Sequence, residues 1–184
     1  PNPRDSQSVT ADGRKPWEVM QDLLARGDVP ALDRYLQALP PSESVRAVFR
    51  LSPEDQERLL TLLPPESAAD LIDDVPDAQA AELLDNLEPE EAASIVSELQ
   101  SDEAADVLAE MDREDVEEIL SLMDAEEAAD ARQLIDYDPD SAGGLMITEY
   151  LSYPQPTRAA DVVRDIGTRP GDYPLYYLQH IFVT

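Results

Sequence analysis

From position 16 to position 135 the apolar residues follow a pattern that renews itself every twelve positions, with no insertion or deletion. The clearest units are SPEDQERLLTLL (52–63), PPESAADLIDDV (64–75), PDAQAAELLDNL (76–87), EPEEAASIVSEL (88–99), QSDEAADVLAEM (100–111), DREDVEEILSLM (112–123) and DAEEAADARQLI (124–135). The register runs backward, less regularly, through PPSESVRAVFRL (40–51), DVPALDRYLQAL (28–39) and PWEVMQDLLARG (16–27), which makes ten units. Within a unit the apolar residues take the fifth, sixth, eighth, ninth and twelfth places, as in Ala104, Ala105, Val107, Leu108 and Met111. That spacing is one face of a helix.

One continuous helix does not fit the repeat. At ~100° per residue, twelve residues carry the apolar face about 120° past whole turns, so an unbroken helix would smear its stripe around the cylinder. The helix must therefore break once per unit. Pro53, Pro65 and Pro89 stand second in their units, where a first-turn proline is tolerated; Ser52 is a candidate cap, and Glu54, Glu66 and Glu90 follow in the first turn. Each unit becomes a helix of about eight to ten residues, too short to persist alone and stabilised by stacking on its neighbours. The expected fold is mainly α: a superhelical solenoid of about ten short helices, of either hand.

After position 135 the pattern stops. The stretch DYDPDSAGGLMITEYLSYPQP carries loop punctuation at Pro139 and at Gly143 and Gly144, then a β-rich alternating run over 146–153. TRAADVVRDIGTR reads as a helix and PLYYLQHIFVT as a strand, so the chain closes on a partial β-α-β segment with no further strands to complete a sheet. The expected organisation is a flexible N-terminal segment over 1–15, a helical-repeat domain over 16–135, a junction over 136–145 and a partial domain over 146–184. A piece of a longer protein is the expectation that follows.

Composition narrows the function. The formal charge is −28, and between positions 63 and 131 Arg113 is the single basic residue. Nucleic-acid binding, which needs Lys and Arg against phosphate, is excluded by such a field. Cysteine is absent, which removes disulfides and thiolate metal sites. His180 is the one histidine and reads as a packing residue on an apolar strand, leaving no Ser/His or Cys/His pair; a repeated, exposed acidic face offers no cleft to separate two carboxyl pKa values, so no enzyme is expected. Met20, Met111 and Met123 read as core filler, and Gly143-Gly144 as a turn, since no phosphate-loop frame follows it. No stretch approaches the ~18 apolar residues of a membrane span.

Two features carry a family resemblance: the tandem Leu-Pro-Pro-Glu-Ser-Ala-Ala-Asp and Glu-Pro-Glu-Glu-Ala-Ala helices, and the stretch Tyr137-Asp-Pro-Asp-Ser-Ala-Gly-Gly-Leu-Met-Ile-Thr-Glu-Tyr150. With these the chain resembles, from Pro16 onward, the cytosolic portion of the MgtE family of magnesium transporters, with the second stretch at the junction between helical N domain and CBS domains. The helical units taken singly also resemble the helical domains of the flagellar motor-switch protein FliG. The MgtE resemblance implies that 146–184 is the start of a CBS domain and that the parent protein is a homodimer with a membrane pore, this part lying on the cytoplasmic side of the cell membrane. It implies a regulatory role: intracellular Mg²⁺ bridges acidic faces of the N and CBS domains and favours a closed pore. The FliG resemblance implies instead a protein-interaction solenoid with no ion role.

Three acids are candidate Mg²⁺ ligands. Mg²⁺ takes oxygen donors in octahedral geometry and keeps several waters, so one or two carboxylates from each side of an interface suffice. Asp102 and Asp106 are four residues apart and share a helix flank. Asp70 holds the place in its unit that Asp106 holds three units later. The resemblance matches all three to the N-domain acids that face the CBS region. Their alternative role needs no metal: acids in the third or fourth place, such as Asp102, Glu103, Glu90 and Glu91, interact favourably with the positive end of their own helix, at ~0.3–1 kcal/mol each.

Overall fold

The computed structural model describes residues 13–138, 141–143, 145–148, 151–168 and 181–184. Most of the expected flexible N-terminal segment, Pro139, Gly144 and His180 lie outside the described residues. Two compact units are present, Pro1–Met146 and Ile147–Thr184.

The first unit holds ten helices among the described residues: α1 (Pro16–Arg26), α2 (Val29–Ala38), α3 (Pro41–Val48), α4 (Pro53–Leu62), α5 (Pro65–Asp73), α6 (Asp77–Asp85), α7 (Pro89–Val96), α8 (Ser101–Ala109), α9 (Arg113–Leu122) and α10 (Ala125–Ile135). The helix breaks once in every twelve-residue unit. Proline opens α1, α3, α4, α5 and α7 at the first position, where its missing N–H has no intrahelical partner to lose. Ser52 Oγ accepts a hydrogen bond from Asp55 N at 3.2 Å, the cap expected of it. Gly27 closes α1 at φ 65°, a left-handed conformation that glycine takes without strain. This explains why the first unit carries glycine in its otherwise apolar twelfth place.

The five apolar places per unit form the core. Ala68, Ala69, Leu71, Ile72 and Val75 are all buried, as are Ala80, Ala81, Leu83, Leu84 and Leu87 one unit later and Ala104, Ala105, Val107, Leu108 and Met111 two units after that. The fifth and sixth places are alanine in most central units, and a methyl group is what allows neighbouring helix backbones to approach closely. From α3 onward helices pack chiefly on the next but one, α3 on α5, α5 on α7, α7 on α9, and α6 on α8, α8 on α10. The result is two staggered rows sharing one continuous apolar seam. Met20 and Met111 are buried and Met123 packs against the same core.

Two of the polar residues that interrupt the pattern answer each other. Glu117 occupies a sixth place and Arg132 a ninth, both normally apolar. They meet across α9 and α10, with Arg132 Nη2 donating to Glu117 Oε2 at 3.1 Å. Both side chains stay about half exposed, so the pair replaces apolar contact at an edge of the seam with an ion pair of small net value.

The second unit is a short β-α-β segment: β1 (Leu151–Tyr153), α11 (Ala159–Thr168) and β2 (Ile181–Val183). The strands run parallel, with Leu151 opposite Ile181 and Tyr153 opposite Val183. Parallel pairing demands a crossover, and α11 lies within it. Tyr153 Oη donates to Asp165 Oδ2 at 2.7 Å, tying β1 to α11. The first strand begins later than its sequence suggests. Met146 N donates to Gly143 O at 3.3 Å, which holds the start of the apolar run in the preceding turn instead of a ladder.

Candidate cation-binding face of the helical array

Asp102 and Asp106 lie in α8, one turn apart. The start of that helix is fixed by its own sequence. Glu103 reaches back to accept from Gln100 N at 3.4 Å and from Gln100 Nε2 at 3.1 Å, which satisfies a donor that the first turn would otherwise leave open. The flanking Ala104, Ala105, Val107 and Leu108 are buried in the seam, so both aspartates are held at its margin, partly buried. Among the described residues, Asp102 Oδ1 is buried without a hydrogen-bond partner. A carboxylate oxygen in that condition is costly, of order 1–3 kcal/mol, and needs a proton, a donor or a cation.

The charges that perturb Asp106 are negative. Burial first, then Asp77 of α6, then Asp102 push the Asp106 carboxyl above the ordinary aspartate range. Glu103 is perturbed most. Burial, then a hydrogen bond with the Asp73 carboxyl of α5 and that group's charge, raise it to about 7; the Gln100 backbone donor opposes this and Asp102 adds to it. A hydrogen bond between two acids requires one proton between them, so at neutral pH this pair is poised to lose it.

Asp70 lies on α5 and is exposed. Partial desolvation, then Glu66, Asp73 and Asp33 of α2, raise its carboxyl. Asp74, next in line, is raised by desolvation and then by Asp73 and Asp70. The structure therefore brings Asp102 and Asp106 together and places Asp70 apart from them, joined through Asp73 and Glu103. Asp73 and Asp77 were not singled out by sequence reasoning, which read Glu103 as a helix-end acid alone. No local spacing marks these contacts, which join units three apart for Asp73 and Glu103 and two apart for Asp77 and Asp106.

A second acidic meeting point involves Asp85 near the end of α6, raised by burial and then by Asp115 and Asp112 at the start of α9. Among the described residues, no group of three or more His, Cys, Asp or Glu is arranged to hold a metal ion. What α8 offers is an incomplete set of hard oxygen donors: one orphaned buried oxygen and a neighbouring carboxylate. Such a set fits a divalent ion that keeps most of its waters or takes further ligands from elsewhere.

Comparison with known proteins agrees with this architecture. A solved structure described as the soluble part of a magnesium transporter superposes with a TM-score of 0.74 at 22% identity, covering 92% of this chain and 66% of that one. A second, the cytosolic domain of the Mg²⁺ channel MgtE in complex with ATP, gives a TM-score of 0.74 at 29% identity, covering 91% of this chain and 68% of that one. The chain thus spans about two thirds of the length of these neighbours. Among curated proteins no sequence match is found. The family model of the MgtE intracellular N domain matches residues 39–140, from the end of α2 through α10 and the turn beyond it. This chain belongs to the MgtE family, through its intracellular N domain.

Proposed function

We propose that the chain is a regulatory part of an MgtE-type magnesium transporter, and that it senses intracellular Mg²⁺ through Asp102 and Asp106, with Asp70 extending the same anionic ridge. Mg²⁺ is bridged from these carboxylates to acidic groups of the CBS module of the parent protein, and the bound state favours a closed pore. In this reading residues 146–184 begin that CBS module. The intact protein is a homodimer whose remaining CBS and membrane domains are the partners of this part, on the cytoplasmic side of the membrane. Among the described residues no helix is long and apolar enough to cross a membrane.

The observation that carries the reading is the buried, unpartnered Asp102 Oδ1 beside Asp106, whose own carboxyl is pushed up by burial and like charge. Two carboxylates one turn apart repel by roughly 0.2–0.5 kcal/mol, and a cation turns that repulsion into attraction. The test is thermal unfolding in rising MgCl₂ against NaCl at equal ionic strength. At Mg²⁺ tenfold above its dissociation constant the folded state gains about 1.4 kcal/mol. The expected result is a rise in Tm beyond that in NaCl, reduced in the Asp102→Asn, Asp106→Asn double variant. Equal response to both salts refutes the reading and favours a protein-interaction solenoid, in which ions act by screening alone.

A further inference from the structure

The end of the array holds an aromatic contact that the cation reading does not use. A Cβ built on Gly143 would stand 2.7 Å from Tyr137 Cγ, 2.8 Å from Cδ1 and 3.0 Å from Cδ2. The Tyr137 ring therefore lies directly on bare backbone. Gly143 does not adopt a positive φ, so the position needs glycine for space and not for backbone freedom. The ring is held from its own side as well: Tyr137 N donates to Leu134 O at 3.0 Å, and Gln133 Nε2 reaches Tyr137 Oη at 3.5 Å.

Around this contact the chain is hydrogen-bonded to itself. Ser141 N donates to Asp138 O at 2.8 Å, Leu145 N to Ser141 O at 3.2 Å and Met146 N to Gly143 O at 3.3 Å. The first compact unit ends at Met146, eleven residues beyond the last residue of α10. With Leu145 73% exposed and Met146 39% exposed, burial of their side chains is not what holds these residues to the array. The ring on Gly143 and the three turn bonds are among the contacts that do.

We propose that Tyr137 and Gly143 form a clasp that fixes the path of the chain as it leaves the helical array, so that the described residues around it, Tyr137, Asp138, Ser141, Gly143, Leu145 and Met146, are a built end of the array and not a free linker. Opening the clasp frees the exit direction without unfolding α1 to α10. Any function that requires the array to present itself to a following module depends on it, whichever ligand that module takes.

The test is amide hydrogen exchange on the whole 184-residue chain, read at Ser141, Leu145 and Met146 against amides of α5 to α8 as an internal control. In the wild type these three amides exchange at least about tenfold more slowly than in an open chain. Gly143→Ala removes that protection, because the new methyl displaces the ring; Tyr137→Ala removes it too, and Tyr137→Phe keeps it. The decisive comparison has opposite signs. With Tyr137 present, Gly143→Ala speeds exchange, and in the Tyr137→Ala background it leaves exchange unchanged or slows it, since alanine restricts the open chain more than glycine does. Wild-type amides exchanging at open-chain rates overturn the proposal. So does the same effect of Gly143→Ala in both backgrounds.

Discussion

The carboxyl pair between α5 and α8 makes the stability of the array depend on pH in a direction opposite to that of a salt-bridged acid. Glu103 titrates at about 7 in the folded chain because of burial and its contact with Asp73, against an ordinary 4.5. The folded array thus holds a proton that the unfolded chain releases more readily. Stability from this source is fully present below about pH 4.5 and is lost as pH rises through about 7. Converted at about 1.4 kcal/mol per tenfold change, the upper limit is roughly 3 kcal/mol. Glu103 is only partly buried, and solvent screening reduces this to about 1 kcal/mol. About 60% of that loss falls between pH 5.5 and pH 8, so for a domain of this size Tm falls by about 2–3 °C over that range. The assay is thermal unfolding by circular dichroism at fixed salt with a chelator present. Asp70, Asp74, Asp85 and Asp106 are raised in the same direction, so the quantity to read is the difference between the wild type and Glu103→Gln. The side-chain amide introduced by Glu103→Gln donates to Asp73 at every pH, so the Tm of that variant at pH 8 is expected to equal or exceed that of the wild type, with a flatter slope. A wild-type slope that survives Glu103→Gln unchanged refutes the reasoning.

Two further perturbations test the architecture. Ile72 is fully buried on α5, in the seam, and Ile72→Ala is expected to destabilise the array by about 2–5 kcal/mol in urea unfolding, the range for a buried large-to-small change. Ser52→Ala removes the cap on Asp55 N and is expected to cost about 1 kcal/mol by the same measurement, with Ser52→Asp restoring most of it.

The twelve-residue period made the array legible because each unit must place the same five residues on the same seam. Ala80, Ala81, Leu83, Leu84 and Leu87 could be named as core from spacing, and proline at the second place marked where α4, α5 and α7 would restart. Pairing between rows was not legible, since a periodic sequence says that units stack but not that each helix packs on the next but one. For the same reason Glu117 and Arg132, which look like separate defects in two units, emerge as partners only in the folded chain. At the candidate site, the nearness of Asp102 and Asp106 follows from helical geometry, one turn on one flank. Asp70, matched to Asp106 by counting, lies on α5, with Glu66, Asp73 and Asp33 as its charged neighbours. The proton held between Asp73 and Glu103 depends on burial and on a contact between distant units, neither of which is written in local spacing. The same holds for the Tyr137 ring on Gly143, where the sequence signals a turn and only the fold reveals why the residue must be small.

The central claim is that α8 offers Mg²⁺ an incomplete carboxylate set at Asp102 and Asp106. Its most direct test is a ¹H–¹⁵N correlation spectrum of the isotopically labelled chain during titration with MgCl₂, with NaCl at matched ionic strength as reference. Saturable shifts centred on the amides of residues 101–107, absent in NaCl and lost in the Asp102→Asn, Asp106→Asn variant, are the predicted result. Shifts of equal size with both salts, or Mg²⁺ shifts spread evenly over all the acidic helices, would contradict it.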